Sequence, residues 1–211
     1  MWVTAHTGSA TSATIVRGRE GTTGVQHAST ISWVHVATRA DFELMGVTGD
    51  RPSGTGLPYK YQRYFDTTIG QPIQYDGTQW VQTAPEADLV STSEGRSSAT
   101  YGALATAGPA VTVLTGTKAL VIVGCRFSPA TLALQAAMSF SVSGATTLAA
   151  ADAQAVHCQQ PGGSGWADKF CAQVYLTTLT AGINTFTASY KGDGSNTMNF
   201  SERTISVHPI L

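Results

Sequence analysis

The chain has 211 residues, enough for one substantial domain with smaller appendages, and 42% of them are hydrophobic, which supplies a core. Lys and Arg number 12 against 13 Asp and Glu, a formal net charge of -1, and only 12% of residues are charged, so no basic surface is on offer and no nucleic-acid partner is expected. The longest apolar run, Ala119 to Gly124, has the length of a strand and falls far short of the roughly 20 residues of a membrane helix, which predicts a soluble chain without membrane insertion.

Thr, Ser, Gly and Ala abound while Lys, Glu and Leu are sparse, a balance that disfavours long helices and predicts an all-β chain. The opening residues MWVTAHTGSATSATIV lack the basic head and apolar block of a secretory signal, so export by the general route is not expected. Strands are predicted at Trp2 to His6, Ala13 to Arg17 and Ile31 to Val36, with reversals at TGSATS and GREGTTG. ATRADFELM reads as one helical turn capped by Asp41. Together, residues 1–48 read as an N-terminal β module. Its Trp2, Ile15, Val16, Ile31, Trp33 and Val36 are more apolar surface than so short a segment can bury, and form the expected attachment interface.

Residues 49–84 read as a linker followed by an aromatic meander. GDRPSGTGLP cannot hold a regular ladder. Beyond it, strands near Gln62 to Thr67, Pro72 to Tyr75 and Thr78 to Gln82 are punctuated by Gly70 and by Asp76-Gly77, the pair favoured in a tight hairpin. A small isolated meander is marginal in water, so Tyr64, Phe65, Tyr75 and Trp80 need apolar surface on neighbouring segments or on another chain. Intersubunit packing is the favoured expectation. Residues 85–100 are polar and turn-rich and read as a second linker. Across 101–211, alternation places strands at Val111 to Leu114, Ala119 to Phe127, Ala137 to Val142, Ala155 to Cys158, Phe170 to Leu176, Thr185 to Tyr190 and Met198 to Val207. Turn signals fall between them, as a two-sheet β-sandwich of jelly-roll type requires.

Chemistry-bearing patterns are weak. HExxH, GxSxG, Walker and GxGxxG motifs are missing from the sequence, so no reaction, cofactor or metal is expected. The five histidines are scattered. Asp66 with Asp76, and Asp193 with Glu202, are conceivable acid–base pairs, but Asp76 and Asp193 sit beside Gly in turns, where such side chains cap the local backbone. The three cysteines form no CxxC pair; Cys158 and Cys171 flank a Gly-rich loop and could face each other across a hairpin, or all three are reduced and partly buried. Trp166, in GGSGWADK, either stacks on a sugar or is buried at a subunit contact, and with Asp168, Asp193 and Asn196 it marks a candidate surface-binding loop.

Two stretches carry a resemblance. ATIVRGREGTTGVQHAS with TISWVH, and GLPYKYQRYFDTTIGQPIQYDGTQWV, resemble modules of tail-fibre, minor tail and head-fibre proteins of tailed bacteriophages, particularly those of actinobacteria. The matching positions are Arg17, Gly18, Glu20, Gly21, Thr22, Thr23 and His27 in the first, and Tyr64, Phe65, Asp66, Thr67, Thr68, Pro72, Asp76, Gly77 and Trp80 in the second. TKALVIVGCRF, GINTFTASYK and FSERTISVHPIL are similar to the C-terminal jelly-roll knobs of such proteins. The resemblance implies a non-enzymatic virion structural protein, a homotrimer that contacts other tail or capsid proteins and presents a knob to a host-surface glycan. The departure is that long fibres place these modules after a shaft, whereas here the first begins at residue 1. The rival expectations are a capsid decoration protein, a polysaccharide depolymerase and a bacterial carbohydrate-binding module.

Overall fold

The computed structural model describes residues 2–5, 14–16, 44–53, 58–129, 135–159 and 167–211. The chain divides into two units, Met1–Thr38 and Arg39–Leu211. In the first, β1 (Trp2–Ala5) and β2 (Thr14–Val16) pair antiparallel, with Trp2 opposite Val16. The strand expected at Ile31 to Val36 lies outside the described residues, as do the side chains of Trp2, Ile15, Val16, Ile31, Trp33 and Val36.

The second unit is all-β, as the composition predicts, with two short turns of 3-10 helix and no α-helix among the described residues. Its sandwich has one sheet of β13 (Asp168–Leu176), β10 (Lys118–Pro129), β15 (Met198–Ile210) and β7 (Glu86–Val90), with β8 (Glu94–Arg96) also on β15. The other sheet has the order β12 (Val156–Gln159), β11 (Gln135–Gly144), β14 (Gly182–Lys191) and β9 (Ala110–Thr115). The chain passes between the sheets at nearly every connection, the jelly-roll pattern. Alternation does the work: in β10, Ala119, Val121, Val123, Cys125 and Phe127 all have 0% exposure and meet Met138, Phe140, Phe186 and Tyr190 of the opposing sheet. Tilted ring pairs, Phe127 with Phe200 at 5.4 Å and Tyr190 with Phe200 at 5.0 Å, fill the centre.

A third sheet, β3 (Leu44–Gly46), β4 (Arg63–Asp66), β5 (Gln71–Tyr75) and β6 (Trp80–Gln82), is the meander. Two expectations change here. Leu44 and Met45 belong to a strand parallel to β4, not to a helical turn, and the turn of 3-10 helix comes later, at Thr48–Asp50. The ladder to Tyr64 and Phe65 supplies backbone partners that the local sequence does not reveal. Residues 44–48 therefore belong with the meander rather than with the N-terminal module.

The stretch 85–100, expected as a linker, contributes β7 and β8 to the sandwich. Its physical anchor is Arg203, which is fully buried in the middle of β15. The guanidinium donates to the Thr106 carbonyl and to Thr92 Oγ1, both at 3.2 Å, lies 3.7 Å from Glu94 Oε2 and faces the Tyr190 ring. Glu94 in turn accepts from the Thr106 amide at 3.0 Å. A buried cation needs such partners, so the segment that carries them is held against the sheet. A chain shortened to 85–211 is therefore expected to melt cooperatively. One shortened to 101–211 leaves Arg203 without its carboxylate, a penalty of about 3–5 kcal/mol, and is expected to aggregate. Equal melting temperatures in calorimetry would show that β7 and β8 contribute nothing.

Candidate functional site

The aromatic meander is the most strongly patterned candidate, and its rings find apolar surface within their own chain. Tyr64 is 3% exposed and forms a buried cluster with Ile73 of β5 and Leu114 of β9, against which Leu44, Ile69 and Trp80 pack. The Tyr64 and Trp80 rings lie 5.9 Å apart and the Trp80 and Tyr75 rings 5.5 Å apart. The premise that these rings lack a local core is thus corrected: Leu114, far away in sequence, is their partner. Gln82 Oε1 accepts from the Leu114 amide at 3.4 Å, and its Nε2 donates to Glu86, tying meander to sandwich. Phe65 points the other way and is 41% exposed, beside Met45 and Pro72.

Asp66, fully buried, organises one end of the meander. It accepts from Thr48 Oγ1 at 2.8 Å, Arg51 Nε at 2.7 Å, and the amides of Thr68 and Ile69. Burial by itself raises its pKa, but these donors outweigh burial and hold the carboxyl below its ordinary value. The Tyr64 hydroxyl donates to the Val47 carbonyl at 3.0 Å and occupies the place a Cβ on Gly46 would need, 2.5 Å away, which explains glycine there. Asp76 accepts from the amides of Thr78 and Gln79 and from both their side chains, while Gly77 adopts φ 111°. Both carboxylates of the first conceivable acid–base pair are therefore engaged in turn structure.

The second pair is engaged likewise. Asp193 accepts from the amides of Ser195 and Asn196 and from the Asn196 side chain at 3.0 Å. Glu202 pairs with Lys169 at 3.1 Å and with Arg126 at 3.8 Å. Asp168 begins β13 opposite Phe127, and the turn at 193–196 precedes β15, so the ladders bring both to one end of the five-stranded sheet. Trp166 lies outside the described residues.

Cys158 lies in the core on β12 and Cys171 on the outside of β13 in the other sheet, so the loop between them is a crossover rather than a hairpin and the pair does not face across it; all three thiols are free. Burial pushes the Cys158 thiol up to about 11 and Cys125 higher still. Among the described residues no group of His, Cys, Asp and Glu could hold a metal, and no helix is long and apolar enough to cross a membrane. His157 and His208 lie apart, bonded to the Asp152 carbonyl and to Ser206 respectively. Sequence reasoning passed over Tyr175, 56% exposed on the outer side of β13; its signal was alternation with Val174 and Leu176, which pack on the core.

No family model and no curated protein matches the chain. Solved structures with similar strand arrangements include those of infectious bursal disease virus, Gx strain (TM-score 0.40, 11% identity, 66% of this chain and 41% of that one) and Gt strain (0.37, 10%, 67% and 42%). Another is the CBM22-1 xylan-binding domain of Paenibacillus barcinonensis Xyn10C (0.30, 11%, 62% and 86%). The chain spans about two fifths of the length of the two viral chains.

The Asp66 cluster generates a pH prediction. Because its folded pKa is depressed, its stabilisation is complete above the ordinary value of 3.8 and is lost as pH falls through the lower folded value. Asp66→Ala, which leaves Arg51 without its carboxylate, is expected to cost about 3 kcal/mol in denaturant unfolding. Asp66→Asn is expected to flatten the acid limb of the stability profile. An unchanged acid limb would remove Asp66 as its source.

Proposed function

We propose that the chain is a structural, non-catalytic component of a tailed-phage virion, a short projecting appendage built as a homotrimer. The N-terminal module, residues 1–43, contacts another tail or capsid protein and the sandwich is displayed outward, where repeated copies turn weak contacts with a host-surface glycan into avid attachment. The observation that supports this reading is the role of the residues carrying the phage-module resemblance. Tyr64, Asp66, Asp76, Gly77 and Trp80 hold the meander together and seat it on β9. The motif is a scaffold signature and not a reaction centre. Phe65 and Met45, exposed on the opposite side of the meander, leave apolar surface for the neighbouring subunits of the trimer.

Hydroxyl-radical labelling of intact particles, compared with the isolated chain, tests the orientation. Trp2 and Trp33 are expected to be strongly protected and Trp166 reactive; the reverse pattern would overturn it. Light scattering is expected to give the mass of three chains, and a monomer at micromolar concentration would remove the trimer.

A further inference from the structure

The outer side of the five-stranded sheet is built by the residues that alternate with the core. Val121, Val123, Ile205 and Val207 have 0% exposure, and Val174 and Leu176 pack on the core. Leu120 and Ile122 of β10, Gln173 and Tyr175 of β13, and Ser206 and His208 of β15 therefore point outward. The ladder registers arrange them in two rows. Leu120 lies between Tyr175 and His208, and Ile122 between Gln173 and Ser206. With neighbouring strands about 4.8 Å apart, the two walls of each row stand roughly 10 Å from each other and the rows follow at about 7 Å. Leu120 and Ile122 are half-buried and make an apolar floor, while Tyr175 and Gln173 are exposed and rise beside it.

We infer that this two-row cradle is a glycan subsite that takes one pyranose unit. It rests on the reading of the sandwich as a displayed adhesive knob, and moves the contact from the loops to the sheet. The apolar C–H face of a pyranose lies on Leu120, Ile122 and the Tyr175 ring, an arrangement suited to an amphipathic ring. Its hydroxyls meet the Gln173 carboxamide, which has no hydrogen-bond partner among the described residues, and the Ser206 and His208 pair, whose Oγ and Nε2 are 3.0 Å apart. Exposed Leu89, opposite Thr204, and Ala87, opposite Ser206, extend the same face, so a second copy of the chain is the competing occupant that the test separates.

Charge refines the ligand. The ion cluster of Arg126, Lys169 and Glu202 stands at the other end of this face, where one carboxylate is shared by two cations. At the near end Lys118, opposite Ile210 and one row beyond Leu120, is exposed with no ion-pair partner among the described residues. A carboxylate on the bound ring gains that cation, so a uronic acid binds more tightly than its neutral counterpart at low salt.

The test is an NMR titration of the full chain with the methyl glycosides of glucose, galactose, mannose and glucuronic acid. Expected are shifts at the amides of Leu120, Tyr175 and His208, with the glucuronide tightest and its advantage lost at high salt. Tyr175→Ala should weaken every binding glycoside by roughly tenfold, corresponding to the upper range for an aromatic contact. Tyr175→Phe should bind like the parent chain, and Lys118→Gln should remove only the glucuronide's advantage. Tyr175 is exposed, so preserved amide dispersion identifies a folded variant. Shifts confined to residues 160–166 and 193–196, or no shift with any glycoside, would overturn the inference. So would concentration-dependent broadening at Tyr175 and His208 without sugar, which would show a second copy on the face. The titration reads the isolated chain, so its failure leaves the virion reading standing, and a chain that binds sugar but is not found on particles fails only the latter.

Discussion

A guanidinium with no access to water has to be answered by the protein, and Arg203 is answered by three separate pieces of chain. Thr92, Glu94 and Thr106 converge on it from the segment before β9, and Tyr190 from the opposing sheet. Among the described residues its Nε has no hydrogen-bond partner, so the site is not fully satisfied, and any loosening of the surrounding segment strips partners from a charge already costly to bury. That demand fixes the course of residues 86–106 across the end of the sandwich. β15 can then be a central strand, with β10 along one side and β7 and β8 along the other. The Glu94 carboxyl is held below its ordinary range by hydrogen bonds from Thr106, with Arg203 adding to the effect, so the ion pair is in its charged form at neutral pH.

The meander depends on this arrangement at one remove. Glu86, at the start of β7, accepts from both Gln71 and Gln82, so the first strand of the segment anchored by Arg203 is also the last handhold of the meander. Leu114 then gives Tyr64 and Ile73 an apolar surface that four short strands do not supply themselves. The second unit is in this sense a small sheet leaning on a large one. The aromatic residues concentrated between 64 and 80 are the small sheet's share of the joint.

Much of the sandwich was legible because its signal is local. In GINTFTASYK, buried Asn184, Phe186, Ala188 and Tyr190 alternate with half-exposed neighbours, and the sequence shows the same period. The reversal at Asp76-Gly77 was legible for an equally local reason, since an Asp that caps the amides of Thr78 and Gln79 around a positive-φ Gly needs nothing from elsewhere. The loop is wider than a tight hairpin, however: Tyr75 pairs with Trp80, and the strand begins there rather than at Thr78. β7 and β8 were not legible, because EADLV and EGR owe their place to pairing with β15, more than a hundred residues later. β3 was missed for the same cause: three residues of strand parallel to β4 carry no period. At the candidate sites, Asp76 and Asp193 cap the amides that follow them, the role their neighbouring glycines indicated. The cradle of Tyr175, Leu120 and His208 exists only once register places three strands side by side.

The distribution of the three thiols has a practical side. Cys125 and Cys158 are sealed in the core with raised pKa values, so they stay protonated and beyond the reach of electrophiles, while Cys171 is exposed on the same side of β13 as Gln173 and Tyr175. The native chain thus carries a ready-made single point for conjugation. A maleimide fluorophore or spin label placed there sits two residues from the outward Gln173 without any cysteine having to be removed.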